Sequence, residues 1–245
     1  MLIIGNLKID ETNPARVHFF FATLLSYAIF SEQGIGITLN ECSDDLFNKT
    51  KQLLKDNFAK FDLIKFFGPN PFWDGIKVHN PWERKYYIHF EEDHFCMLTT
   101  NDILYNINIE FYDRKFDIIR ASFNEIEKRS AEEITGEYKN QFKTFRMTKE
   151  NHDTFCKPYG YRYFIGTNNI IRTSFAERLY KRKHGFKPHD FEMSKYEQEY
   201  EYTCSIPSVK IMQAIDDDHG EQGTSLLSRP TPKFKQCMDA AKKYI

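Results

Sequence analysis

The first 70 residues alternate between strand-like and helix-like segments, and this alternation constrains the fold more than any other feature of the chain. Residues 2–9 are an apolar run with strand character. Pro14 then opens a helix on which Val17, Phe20, Phe21, Leu24, Leu25 and Ala28 recur at helical spacing. Gly34 and Gly36 interrupt, and residues 35–39 read as a second strand. Ser43 or Asp44 caps the next helix, which places Leu46, Leu53 and Leu54 on its inner face. Residues 61–67 read as a third strand. Strands that alternate with helices of this length predict a parallel sheet with crossover helices.

Beyond this segment the pattern is less regular. Gly68-Pro69-Asn70-Pro71-Phe72-Trp73-Asp74-Gly75 reads as a loop from its Pro and Gly content. Residues 86–90 form a short apolar strand. A helix is expected over 99–113 and a strand over 116–121, whereas residues 124–160 are highly charged and give no clear period. Residues 161–165 read as a strand ending at Gly166-Thr167-Asn168-Asn169, residues 173–183 as a short amphipathic helix, and residues 208–215 as a last strand. The chain shows no repeat, low-complexity tract or long linker, so a single α/β domain over residues 1–245 is expected. A chain of that length can bury a core without disulfides or structural metal.

Charge and cysteine usage narrow the function classes. With 34 basic and 35 acidic residues, the net charge of −1 provides no global field for nucleic acid. Cys42, Cys96, Cys156, Cys204 and Cys237 are scattered without a CxxC pair, which suggests neither a zinc site nor a disulfide framework and fits a reducing cytoplasm. The N-terminal apolar stretch is too short for a signal sequence. No apolar run reaches the roughly 18 residues of a membrane span, although peripheral contact with a membrane is compatible with the sequence. The basic stretch Arg178 to His184 is either the solvated face of a helix or a contact for an anionic acceptor or lipid headgroup.

Two acidic clusters carry the chemistry. Glu91-Glu92-Asp93 directly follows the strand at 86–90. Carboxylates beside a core cost free energy unless paired or bound to a cation, and strand ends are where open α/β sheets place their ligand crevice. Mg²⁺ or Mn²⁺ takes such oxygen ligands together with substrate phosphates. If the strand alternation continues, Glu91 and Asp93 share one face and Glu92 takes the other. The second cluster, Asp216-Asp217-Asp218-His219-Gly220, follows another apolar run, and the imidazole of His219 suits Mn²⁺. His94 is expected to pack or to support Asp93 indirectly.

These residues resemble the GT-A fold glycosyltransferases, which use nucleotide-sugar donors. Glu91-Glu92-Asp93 occupies the place of that family's acidic metal motif, although its first residue is Glu, so the ligand pair is either Glu91 with Asp93 or Glu92 with Asp93. His219 looks like the C-terminal histidine that many members add to the metal, and Glu41 like the acidic residue that contacts the nucleobase or ribose. The resemblance implies a nucleotide-binding half over 1–95, an acceptor-side half over 96–245, and a Mn²⁺ or Mg²⁺ cofactor. It also implies sugar transfer to the hydroxyl of a glycan, lipid-linked or protein acceptor. Arg229 is then a second positive group near the diphosphate, and Asp190 and Glu192 are the candidate general bases. Two alternatives stand beside this reading. One is another Mg²⁺- or Mn²⁺-dependent phosphate enzyme, a nucleotidyltransferase or nuclease, although the first strand is not followed by a Gly-rich phosphate loop. The other is a binding module in which both clusters are surface turns.

Overall fold

A computed structural model describes the chain except residues 68–71, 102–104, 106, 108–116, 122–141, 149–168, 182–201 and 217–224. The expected alternation is present at the N-terminus: β1 (Leu2–Leu7), α1 (Pro14–Ser26), β2 (Gly34–Asn40), α2 (Asp44–Asn57) and β3 (Phe61–Phe66). Local chemistry sets the helix starts. Asn13 caps α1 by accepting from the Ala15 N–H, with Pro14 at the first helical position. Ser43 caps α2 by accepting from Leu46 N–H, and Asp44 and Asp45 lie in its first turn, where negative charge suits the helix dipole.

The stretch read as a loop over 68–75 ends in a short helix, α3 (Phe72–Lys77). The chain then runs through β4 (Tyr86–Phe90), β5 (His94–Cys96), β6 (Ile118–Arg120), β7 (Phe142–Met147), β8 (Asn169–Arg172), α4 (Thr173–Lys181), β9 (Tyr202–Pro207), β10 (Met212–Ala214) and α5 (Pro232–Ala241). Among the described residues the main sheet has the order β3-β2-β1-β4-β8-β6-β9-β7. β1 pairs in parallel with β2 and β4, and β2 with β3. β8 runs against both β4 and β6, β9 is parallel to β6, and β7 runs against β9. A separate two-stranded sheet joins β5 and β10 antiparallel, with Ala214 opposite His94 and Met212 opposite Cys96.

Several expectations need correction. The last strand covers Met212–Ala214 rather than 208–215, because the Ile211 and Met212 N–H groups both turn to the Ala121 carbonyl and Val209 is exposed. β9 was hidden in sequence by the charged run before it. Asn169 opens β8 rather than closing a loop, and β7 lies within the stretch that gave no period. The expected strand over 161–165 and most of the expected helix over 99–113 fall outside the described residues.

The core explains why the first half is so regular. Ile3, Leu7, Ile35, Ile37, Leu39, Ile88 and Phe90 from the parallel strands bury against Phe20, Phe21, Leu24, Leu53 and Leu54 from the helices. Strands covered by helices on the sheet faces read as near-continuous apolar runs, as these do. A smaller cluster of Phe19, Phe95, Ile215, Leu226 and Phe234 ties α1 and α5 to the two-stranded sheet. Because β1, β2, β3 and β4 are parallel, their C-terminal ends, at Leu7, Asn40, Phe66 and Phe90, open on one edge, where such sheets hold ligands.

Candidate metal centre at the crevice edge

The acidic cluster lies at that edge, in a tight turn between β4 and β5. The turn closes through the His94 N–H and the Glu91 carbonyl at 3.2 Å. Glu91, Glu92 and Asp93 therefore do not continue the pleat of β4, and the element that follows is a strand rather than a helix. The turn nevertheless brings Glu91 and Asp93 together, as the strand reading expected for another reason, and it adds a residue that reading had set aside. Ligand atoms of Glu91, Asp93 and His94 all lie within 4.8 Å of one another, and Glu92 is not part of the group.

The three side chains are already interlocked. His94 Nδ1 lies 3.0 Å from Asp93 Oδ1 and 3.3 Å from Glu91 Oε2. The other oxygen of Asp93 accepts from Arg16 Nη1 at 3.0 Å. Asp93 and His94 are buried. Burial pushes the Asp93 carboxyl upward, but the hydrogen bond and charge of His94, followed by the Arg16 ion pair, outweigh it and hold Asp93 below the usual carboxylate range. Burial likewise opposes charge on His94, while the Asp93 hydrogen bond and the charges of Glu91, Asp93 and Glu92 raise it above the ordinary imidazole value. Burial raises Glu92.

The backbone around the turn is pinned from two sides. The Asp93 carbonyl accepts from the Ile215 N–H at 2.8 Å, and the His94 carbonyl accepts from the Tyr27 hydroxyl at 3.3 Å. Two carboxylates and an imidazole form a donor set suited to Mn²⁺, with Mg²⁺ favouring the two oxygens. The residues at this turn thus fit a divalent cation of the expected kind.

The other residues singled out in the sequence are placed as follows. Glu41 leaves β2 with a positive φ of 56°, donates its N–H to the Phe66 carbonyl and forms an ion pair with Lys8. Arg229 is exposed and its N–H bonds the Ser225 carbonyl, in the turn that resumes after residue 224. His219, Asp190 and Glu192 lie outside the described residues. Ile215, which is bonded to Asp93, precedes His219 by four residues, a span of at most about 14 Å of extended chain.

Sequence reasoning gave His94 only as a residue that packs or supports Asp93 indirectly, and it did not single out Arg16. Arg16 had left a signal: it is a cation in the first turn of a helix, where the macrodipole disfavours positive charge.

No protein-family model matches the chain, and no curated protein matches it significantly. Solved structures do. The Staphylococcus aureus protein TarS 1-349, in complex with UDP-GlcNAc, matches 99% of this chain and 65% of its own length, with a TM-score of 0.54 and 15% identity. A mannosyltransferase from Pyrobaculum calidifontis, in complex with GDP-Man and Mn²⁺, matches 99% of this chain and 69% of its own, with a TM-score of 0.52 and 9% identity. A cytidylyltransferase from Leptospira borgpetersenii matches at a TM-score of 0.47 and 12% identity, too weak to bear on function. The chain thus has the α/β fold of the GT-A glycosyltransferases, as its sequence led one to expect. It spans 58% to 65% of the length of the TarS 1-349 chains it matches.

Proposed function

We propose that the chain transfers a sugar from a nucleoside-diphosphate donor to an acceptor hydroxyl, using a divalent cation held by Glu91, Asp93 and His94. The observation that carries this reading is the turn between β4 and β5. It places two carboxylates and an imidazole within 4.8 Å of one another at the edge of the sheet where ligands bind. A Mn²⁺ or Mg²⁺ ion there supplies positive charge against the diphosphate leaving group. In this reading, Glu91 and Asp93 hold it through oxygen, and His219 is a further ligand delivered by the segment after β10. Glu92, the remaining acid of this turn, lies outside that group of ligand atoms.

The donor's nucleoside would lie over the ends of β1 and β2, near Glu41, with Arg229 beside the diphosphate. Asp190 or Glu192 would take the proton of the acceptor hydroxyl. Residues 1–95 would then serve the nucleotide and 96–245 the acceptor, which we take to be a glycan, lipid-linked or protein acceptor rather than nucleic acid. Cys42, Cys96, Cys204 and Cys237 are free thiols, in keeping with a cytoplasmic site of action. No helix among the described residues is long and apolar enough to cross a membrane.

A thermal-shift series with Mn²⁺ and, in turn, UDP, GDP, CDP and dTDP tests the proposal. We expect stabilisation by one diphosphate that depends on the metal, on the order of 2–3 kcal/mol at a hundredfold excess over Kd. A protein that shifts with none of them, with or without metal, is not an enzyme of this type.

A further inference from the structure

Arg16 is the most unusual neighbour of the acidic turn. It stands in the first turn of α1, with no acidic residue in that turn to offset it. A cation there is disfavoured by the helix dipole, and local conflicts of this kind concentrate at functional sites. Its guanidinium instead reaches 77 residues along the chain to Asp93 Oδ2 at 3.0 Å, with four-fifths of its side chain covered. Because Asp93 Oδ1 is engaged by His94 Nδ1, both oxygens of this carboxylate have partners. A cation that takes Asp93 as a ligand must therefore displace one of them or share an oxygen with it. α1 follows β1 directly, so its N-terminal turn lies at the crevice edge where donor phosphates would be held.

We propose that Arg16 is a competing internal cation of the metal turn, passed from Asp93 to the donor's diphosphate as the divalent ion binds. This proposal rests on the metal reading of Glu91, Asp93 and His94. Arg16 opposes the binding of a divalent ion on its own, by holding Asp93 and by charge repulsion. Once a diphosphate is present, the released guanidinium has an anion that accepts two parallel N–H bonds. Metal and nucleotide then bind with positive coupling, and by linkage each raises the other's affinity by the same factor. An arginine suits this better than a lysine, since its fork matches both carboxylate and phosphate. The consequence for function is that the ion is retained chiefly together with the donor.

The test is calorimetric titration of MnCl₂ alone, of UDP or GDP alone, and of each in the presence of the other. The proteins compared are wild type, Arg16→Gln, Arg16→Lys and Asp93→Asn, each first checked for folding by circular dichroism. We expect Arg16→Gln to bind Mn²⁺ alone about tenfold more tightly than wild type, and to lose about tenfold in nucleotide affinity at saturating Mn²⁺. Arg16→Lys should fall between the two. If Arg16→Gln leaves Mn²⁺ affinity unchanged while Asp93→Asn abolishes it, Arg16 is a structural ion-pair partner only and the metal reading stands. If neither wild type nor Arg16→Gln binds Mn²⁺, with or without nucleotide, the metal reading fails and this role for Arg16 falls with it. Should Arg16→Gln not fold, coupling in Arg16→Lys equal to that of wild type would contradict the requirement for a two-pronged guanidinium.

Discussion

Ile215 donates its backbone N–H to the carbonyl of Asp93 across 2.8 Å, so β10 and the acidic turn are held as one unit. The Ile215 side chain is fully buried with Phe19, Phe95, Leu226 and Phe234, which come from α1, β5, the turn before α5 and α5 itself. Truncation there leaves a cavity directly behind the turn. We expect Ile215→Ala to destabilise the protein by about 2–5 kcal/mol and Ile215→Val by about 1 kcal/mol. Urea denaturation measures both, and an Ala variant within about 0.5 kcal/mol of wild type would show that this cluster does not support the turn.

The members of the turn should separate by role in metal binding. Asp93→Asn keeps the shape of the side chain and removes its charge, so Mn²⁺-dependent stabilisation by nucleotide should be lost. Glu91→Gln should weaken it about tenfold or more, within the range of a lost charged contact of roughly 1.5–3 kcal/mol. His219→Ala should weaken it too if the segment after β10 closes on the metal. Normal metal and donor binding by both Asp93→Asn and His219→Ala would mean that the ion sits elsewhere.

Much of the first half of the fold was legible because burial and periodicity coincide there. Phe20, Phe21 and Leu24 mark the inner face of α1, and Ile35 and Ile37 lie on a strand that helices cover, so each element announces itself locally. Ser43 caps α2 as the sequence led one to expect, whereas Asn13 and Thr231, which also accept from the first turns of their helices, were not singled out, and α5 itself was not expected. Strand β5 was not legible, because His94-Phe95-Cys96 is too short to show a period and exists by pairing with Met212 to Ala214, more than a hundred residues away. The same reason hid His94 as a member of the site, since only the turn geometry aims its ring at Asp93 and Glu91. The ion pair of Arg16 with Asp93 is non-local in the same way, although its mismatch with the dipole of α1 was visible in principle.

Gly75 offers a test of the packing beside the C-terminal ends of β1 and β2. It lies within the short helix α3, where glycine costs about 1 kcal/mol relative to alanine. A Cβ at Gly75 would come within 2.2 Å of Asn6 Cγ and 2.4 Å of both of its terminal atoms. Asn6 Oδ1 accepts from Asn40 Nδ2 at 2.9 Å, so displacing Asn6 disturbs the ends of β1 and β2 together. We expect Gly75→Ala to destabilise the protein by about 1–3 kcal/mol in chemical denaturation. A gain of about 1 kcal/mol, as helix propensity alone demands, would refute the close approach.

Acid should weaken the fold through its buried histidines. Burial lowers His89 to about 4. Burial also lowers His79, against the opposing pull of Asp62, which bonds its Nδ1 while Thr38 faces its Nε2. In the unfolded chain both rings have pKa values near 6.5. Between about 4 and 6.5 the unfolded state therefore binds more protons, and stability rises with pH across that window and is lost as pH falls through it. For His89 the full effect is on the order of 3 kcal/mol. His94, raised instead, has the opposite sign: its contribution is complete below about 6.5 and is lost as pH rises through its folded value. Proton NMR titration of the histidine rings resolves the three, and a His89 that titrates at or above 6.5 would remove the acid-side argument.

Lys233 ties the C-terminal helix to the strand that follows the acidic turn. Its ammonium donates to the carbonyls of Ser26 and Cys96, each at 2.8 Å, and to that of Leu98. It also lies 5.4 Å from the centroid of the Phe95 ring. One side chain on α5 thus joins the end of α1 to both sides of the β5 exit, and burial lowers its pKa. An ammonium has three donors and no acceptor, so three carbonyls satisfy it completely. Lys233→Met keeps most of the volume but removes every donor, leaving partly buried carbonyls unmatched. We expect a loss of about 1–3 kcal/mol in chemical denaturation. Arginine is longer and planar and cannot place three donors on one point, so Lys233→Arg should not restore stability. Restoration by arginine would show that the positive charge near Phe95, rather than the three-carbonyl cage, is what holds α5 in place.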